Sequence, residues 1–226
     1  MLAMIEYAGF GLQGTVTDLS TGEPIAAMVF VNNYYPCYTD PEVGDYHKYV
    51  LPGTYSIIVK ANGYQTQTIS NIVVTANNAT TTNFQMVSEE GQFVYKFAAS
   101  RIPGNNFSDE GNTPAALGPP DNVNYSLGKG GYCMLDMQYP VADGPGPDLI
   151  VYEGDATAEG FTCYVGSTID GPWISLGTGS GTTEFDIAGS GLSEAQYIKL
   201  LDDGDGTANA ANAGFDLDAI EAMEPV

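Results

Sequence analysis

Five carboxylates lie within seventeen positions near the end of the chain: Asp202, Asp203, Asp205, Asp216 and Asp218. No Lys or Arg stands among them. Carboxylates this dense repel one another unless water or a cation screens them. Loops rich in carboxylate and carbonyl oxygen suit a hard cation, most often Ca²⁺. Asp216 and Asp218 are two apart, so on a strand both face one side, with Phe215, Leu217 and Ala219 opposite. Asp143 and Asp148 make a further candidate pair. The spacing is not that of an EF-hand: counted from Asp205, the sixth position is Ala210 rather than Gly, and the twelfth is Asp216 rather than Glu. The bland alternative is a solvated acidic loop that binds nothing, and the residues leave both readings open.

Other chemistries fare worse. His47 is the single histidine. A zinc hydrolase needs several His or Cys ligands, so one His cannot build such a site. No Gly-x-Ser-x-Gly elbow accompanies it for a Ser-His-Asp arrangement. His47 is therefore expected to be an exposed strand residue. Paired carboxylates can serve a glycosidase, but nothing here pairs two of them across a cleft. Trp173 follows a turn and reads as a core or hairpin residue before a sugar platform. Gly128-Lys129-Gly130-Gly131 lacks the spacing and the helix of a phosphate loop, and reads as a hairpin turn.

Those carboxylates belong to an acidic chain. Six Lys and Arg against 28 Asp and Glu leave a net charge of −22 over 226 residues. Nucleic acid and anionic membrane surfaces are excluded as expected partners, because phosphate binding needs a basic footprint. The charge is uneven. Residues 1–88 hold two basic and six acidic groups, a net −4, and residues 89–226 hold four and 22, a net −18. That asymmetry supports two units. No run is apolar and long enough to span a membrane. The first residues lack a charged leader region and a full apolar core, so no signal peptide is read there. Cys37, Cys133 and Cys163 do not have zinc-site spacing. Cys133 and Cys163 fall in expected strands and either pair or remain as free buried thiols.

Short strands between turns must position these residues. In the first half they are read at Gly11–Asp18, Ala26–Asn33, Asp45–Leu51, Thr54–Lys60, Tyr64–Thr75 and Asn83–Val87, with Pro52-Gly53 as a turn. About seven short strands without a convincing helix predict a small β-sandwich. The order Gly14-Thr15-Val16-Thr17-Asp18, Gly22-Glu23-Pro24-Ile25, Tyr38-Thr39-Asp40, Val50-Leu51-Pro52-Gly53-Thr54-Tyr55 and Ala61-Asn62-Gly63-Tyr64 resembles the carboxypeptidase regulatory-like domain. The resemblance covers roughly residues 9–88. It implies a prealbumin-like (transthyretin-like) sandwich of the kind that follows the catalytic domain in many zinc carboxypeptidases and occurs in other secreted proteins. Its motifs are structural, among them tyrosines packed on strands and a Pro-Gly hairpin, and carry no catalytic residue.

After a polar linker at 88–92, strands recur at Phe93–Ser100, Tyr125–Leu127, Tyr132–Gln138, Asp148–Glu153, Phe161–Gly166, Trp173–Leu176, Thr183–Ile187, Gln196–Asp202 and Phe215–Met223. The last also admits a short helix from Leu217. Gly- and Asp-rich separators fit a jelly-roll-like sandwich. The runs ALGPPDN, SLGKGGYCMLDM, DGPGPDLIVYE, TCYVGSTIDGPWISLG, YIKLLDD and GFDLDAIEAM resemble domains of secreted and cell-surface proteins of bacteria and archaea. More loosely they are similar to galactose-binding-like sandwiches. That resemblance implies a structural Ca²⁺ between an early loop and the chain end, with Asp121 as the early-loop partner, and in some members sugar binding.

The expectation is an all-β chain of two tandem β-sandwiches, a prealbumin-like domain at 1–88 and a jelly-roll-like domain at 89–226. Ca²⁺ is the expected cofactor, with Asp121, Asp148, Asp202, Asp205, Asp216 and Asp218 as ligands. The expected role is a non-catalytic accessory region of a secreted or cell-surface protein, stabilising or targeting a zinc carboxypeptidase. Its expected partners are a parent peptidase domain and a glycan or cell-surface protein, with no nucleic acid and no membrane insertion. The alternative is an adhesive or carbohydrate-binding surface protein with no enzyme attached.

Overall fold

The structure, a computed structural model, describes residues 11–88, 91–102, 113–154, 157–204 and 214–223. The chain divides into two units, Met1–Glu90 and Gly91–Val226. Both are built from strands, and their helical content is two short 3₁₀ turns, Thr113–Ala116 and Ile187–Ser190, among the described residues. No helix among them is long and apolar enough to cross a membrane.

The first unit has strands β1 (Gly11–Asp18), β2 (Met28–Val31), β3 (Cys37–Tyr38), β4 (Asp45–Lys48), β5 (Gly53–Ala61), β6 (Tyr64–Val74), β7 (Ala79–Thr81) and β8 (Phe84–Met86). One sheet runs β4-β1-β7, with β8 also on β1, and the other runs β3-β2-β5-β6. Period-two alternation turns Leu12 and Val16 of β1 inward,. They share one core with Tyr46 and Phe84 of their own sheet and with Val29, Ile57, Val59 and Val74 of the other. Each such buried side chain contributes about 1.5–3 kcal/mol. Tyr46, 1% exposed, keeps its hydroxyl satisfied by donating to the Thr82 carbonyl at 2.7 Å. Pro52-Gly53 does not close a hairpin, because β4 and β5 lie in different sheets and the turn carries the chain across. The hairpin expectation failed because turn chemistry does not say which strands it joins.

β1 changes partners along its length, from β7 at Gly11–Gln13 to β8 at Val16–Asp18. Between these, Thr82 donates its N–H to Gln13 O, and Asn83 Oδ1 accepts from Thr15 N. Gly14 sits at this crossing, where a Cβ would collide with the Thr82 carbonyl oxygen.

The second unit has strands β9 (Gln92–Phe93), β10 (Lys96–Arg101), β11 (Tyr125–Ser126), β12 (Tyr132–Ala142), β13 (Leu149–Glu153), β14 (Gly160–Gly166), β15 (Ile174–Ser180), β16 (Thr183–Phe185), β17 (Glu194–Asp202) and β18 (Asp216–Ala222). A five-stranded sheet runs β10-β12-β17-β14-β15. Facing it is β11-β18-β13-β16, with β9 also on β18. Rings meet between the sheets: Phe161 of β14 lies 5.8 Å from Phe185 of β16, and Phe97 of β10 lies 5.1 Å from Tyr125 of β11. The expected single strand over Phe93–Ser100 is two, because Val94 N–H bonds Ile220 in one sheet and Tyr95 N–H bonds Asp136 in the other. Gly128–Gly131 likewise links strands of different sheets, so it is an inter-sheet turn rather than a hairpin. The chain end is a strand from Asp216, not a helix, paired on both sides by β11 and β13.

Cys133 and Cys163 are both free and buried. Each stands opposite Leu200, one on either side of β17. Two strand spacings separate them by roughly 9–10 Å, beyond disulfide reach. Burial pushes the Cys133 thiol up to about 12 and the Cys163 thiol higher still. A thiol reagent at neutral pH is therefore expected to leave both untouched in the folded protein. It should count three thiols once the chain is unfolded, Cys37 included.

Candidate metal centre

The five expected ligands that are described do not form one cluster. Asp205 lies outside the described residues. Asp202, Asp216 and Asp218 are 3%, 1% and 4% exposed, so these carboxylates are not a solvated face.

Asp202 ends β17 and works as a backbone clamp. Its Oδ1 accepts the N–H of Gly130 at 2.6 Å and of Gly204 at 2.9 Å. Its Oδ2 accepts the N–H of Phe215 at 2.8 Å. One side chain thus ties the Gly128–Gly131 turn and the start of the last strand to β17. The Gly130 amide, which a phosphate loop would present to its ligand, is already taken.

Asp218 links the opening loop to the last strand. Its two oxygens accept from Asp121 N at 3.0 Å and Asn122 N at 3.1 Å. The expected meeting of Asp121 with the chain end therefore occurs through its main chain. An oxygen of the Asp121 side chain accepts from Val123 N. Asp148 immediately precedes β13, and its oxygens accept from Gly144 N at 2.7 Å and Ile187 N at 2.7 Å. It groups with Asp143 and Asp186, whose ligand atoms all lie within 4.8 Å of one another. Asp143 and Asp186 are exposed, and Asp186 caps the Ile187–Ser190 turn through Ala188 N.

Asp216 stands elsewhere. Opposite the register shift between Tyr152 and Glu153, β18 carries one extra residue, Asp218, which breaks its simple alternation. Such a bulge re-aims a side chain. Asp216 groups instead with Glu153 and Glu159, again within 4.8 Å. Glu153 spans the gap, its Oε1 accepting from Asp216 N at 3.3 Å and its Oε2 from Glu159 N at 3.5 Å. Like charges at this separation repel by about 3 kcal/mol per pair at an effective dielectric near 20. A divalent cation reverses that sign, and three carboxylates offer it only hard oxygen donors. Elsewhere on β13 the Tyr152 hydroxyl is pushed up to about 12, by desolvation first and then by its bond to Glu221. That hydroxyl donates to Glu221 Oε2 at 2.6 Å. Glu153 and Glu159 were not legible as ligands: the register Glu153↔Leu217 brings Glu153 beside Asp216, across 63 residues.

A second unforeseen group lies on the other sheet. On β17, Lys199 stands opposite Met134 of β12 and Tyr164 of β14, on the face away from the core. Its ammonium is 5.3 Å from the Tyr132 ring centroid, 5.4 Å from that of Tyr164 and 6.0 Å from that of Trp173. His47, by contrast, is 64% exposed and reaches Asp45 Oδ2 at 3.2 Å.

Residues 11–87 match the carboxypeptidase regulatory-like domain. The mouse carboxypeptidase N catalytic chain is 30% identical over 104 residues, 46% of this chain and 22% of that one. Human carboxypeptidase D is 31% identical over 87 residues, 38% of this chain and 6% of that one. The chain thus spans less than a quarter of these relatives. Among solved structures, the CBM32 of AlyQ in complex with 4,5-unsaturated mannuronic acid covers 58% of this chain and 98% of its own, at 15% identity and a TM-score of 0.36. A chitosan-binding module from a chitosanase/glucanase of Paenibacillus sp. IK-5 covers 59% and 97%, at 15% identity and a TM-score of 0.40. With both TM-scores below 0.5, no ligand passes from them to this chain.

Proposed function

We propose that the chain is a non-catalytic accessory region of a secreted or cell-surface protein, with a zinc carboxypeptidase as the parent enzyme. The observation that supports this is the regulatory-like match over residues 11–87. The second unit carries the stabilising part of the role. Glu153, Glu159 and Asp216 would hold a Ca²⁺, whose charge would offset theirs and fix the end of β13 to the start of β18. The Asp143, Asp148 and Asp186 group suits this less, since Asp148 is committed to backbone amides and its neighbours are exposed. A second reading, a carbohydrate-binding surface module, is favoured by the rings around Lys199.

The chain incubated with Zn²⁺ and a C-terminal-Arg or C-terminal-Lys peptide is expected to release no amino acid above the blank. Turnover that a chelator abolishes would overturn the accessory reading.

A further inference from the structure

We infer that the outward face of β12, β17 and β14 is a binding site for an acidic sugar, a pyranose ring bearing a carboxylate, with Lys199 as the carboxylate partner. This deepens the carbohydrate-binding reading and leaves the accessory reading untouched.

The chain holds 28 acidic residues, yet no carboxylate lies within ion-pair distance of Lys199 among the described residues. Its ammonium is surrounded by ring faces instead. Within the described protein no group accepts from that ammonium, and none bonds the Tyr132 hydroxyl, the Tyr164 hydroxyl or the Trp173 indole N–H. Three half-buried rings therefore surround one ammonium, and the hydrogen-bonding capacity of that ammonium, the two phenols and the indole is unspent by the described protein. Rings, hydroxyls and a cation together match three features of one ligand class. The C–H face of a pyranose stacks on an aromatic plane, its hydroxyls take up the phenol and indole groups, and its carboxylate pairs with the ammonium. A neutral sugar leaves the ammonium unanswered, and a simple anion leaves the ring faces bare.

The patch is preformed. Trp173 is held by the turn before it, where Gly171 N–H bonds Thr168 O at 3.0 Å and Thr168 Oγ1 bonds Gly171 O at 2.9 Å. A Cβ at Gly166 would already lie in contact with the indole, 3.5 Å from Cε3. Binding to such a site loses little to reordering.

Trp173 is the single tryptophan, so tryptophan emission, excited selectively over tyrosine, reports on this patch alone. Trigalacturonate titrated in EDTA is expected to give a saturable change in emission, at least tenfold tighter than its methyl ester, which keeps the rings and removes the charge. Acetate at equal carboxylate concentration should give none. Lys199→Gln should reduce the preference to within twofold while leaving the melting temperature unchanged; Tyr132→Ser, which should weaken both ligands, serves if that variant does not fold. Equal binding of acid and ester would overturn the acidic-sugar inference and keep the carbohydrate reading. Saturation by acetate as strong as by trigalacturonate would show a bare anion site and overturn it. Silence with every sugar would remove both.

Discussion

Asp202→Ala is expected to destabilise the second unit by about 3–4 kcal/mol. The side chain is 3% exposed and accepts three main-chain N–H groups. Removing it strands the amide of Phe215, a residue itself 0% exposed. An orphaned buried donor costs about 1–3 kcal/mol, and the two charge-assisted bonds to Gly130 and Gly204 add to that. Phe215 also packs its ring 4.1 Å from Phe161, so loosening its backbone disturbs the core between the sheets. Asp202→Asn keeps one acceptor oxygen and should lose about half as much. Urea unfolding followed by Trp173 fluorescence reads this directly, because Trp173 lies in the second unit. A midpoint that does not move would mean the clamp contributes nothing.

Gly14→Ala should destabilise the first unit by about 3 kcal/mol or more, within the range of backbone and overpacking effects. The obstacle is the carbonyl oxygen of Thr82, which is main chain and already fixed by the neighbouring bond from Thr82 N–H to Gln13 O. A flexible side chain would move aside, whereas this carbonyl moves only if β1 parts from the β7–β8 connection. Calorimetry should show the transition of the first unit falling while that of the second stays in place. If both transitions stay in place, β1 and its neighbours are not packed as described.

Alternation along β1, β12, β14 and β17 was readable because each strand buries one face and wets the other. Pairing order was not readable. Pro52-Gly53 and Gly128–Gly131 both have turn chemistry and both carry the chain between sheets. The same non-local order hides the sites. Glu153 reaches Asp216 only through the register of β13 on β18, and a bulge at Asp218 separates two aspartates that strict alternation would keep together. Tyr132, Tyr164 and Lys199 are ordinary strand residues until β17 inserts between β12 and β14. The acidic character of the chain end was plain in the sequence. Its division into backbone clamps at Asp202 and Asp218 and a carboxylate group at Asp216 depends on burial and register.

We propose that a cation held by Glu153, Glu159 and Asp216 clasps the end of β13 to the start of β18. Differential scanning calorimetry in Ca²⁺ and in EDTA tests it most directly. A ligand at a hundredfold its dissociation constant stabilises by about 2.7 kcal/mol, which should raise the transition of the second unit by roughly 5–10 °C. The first unit should not respond, and Asp216→Asn should abolish the rise. A second-unit transition that is the same in Ca²⁺ and in EDTA would contradict the account.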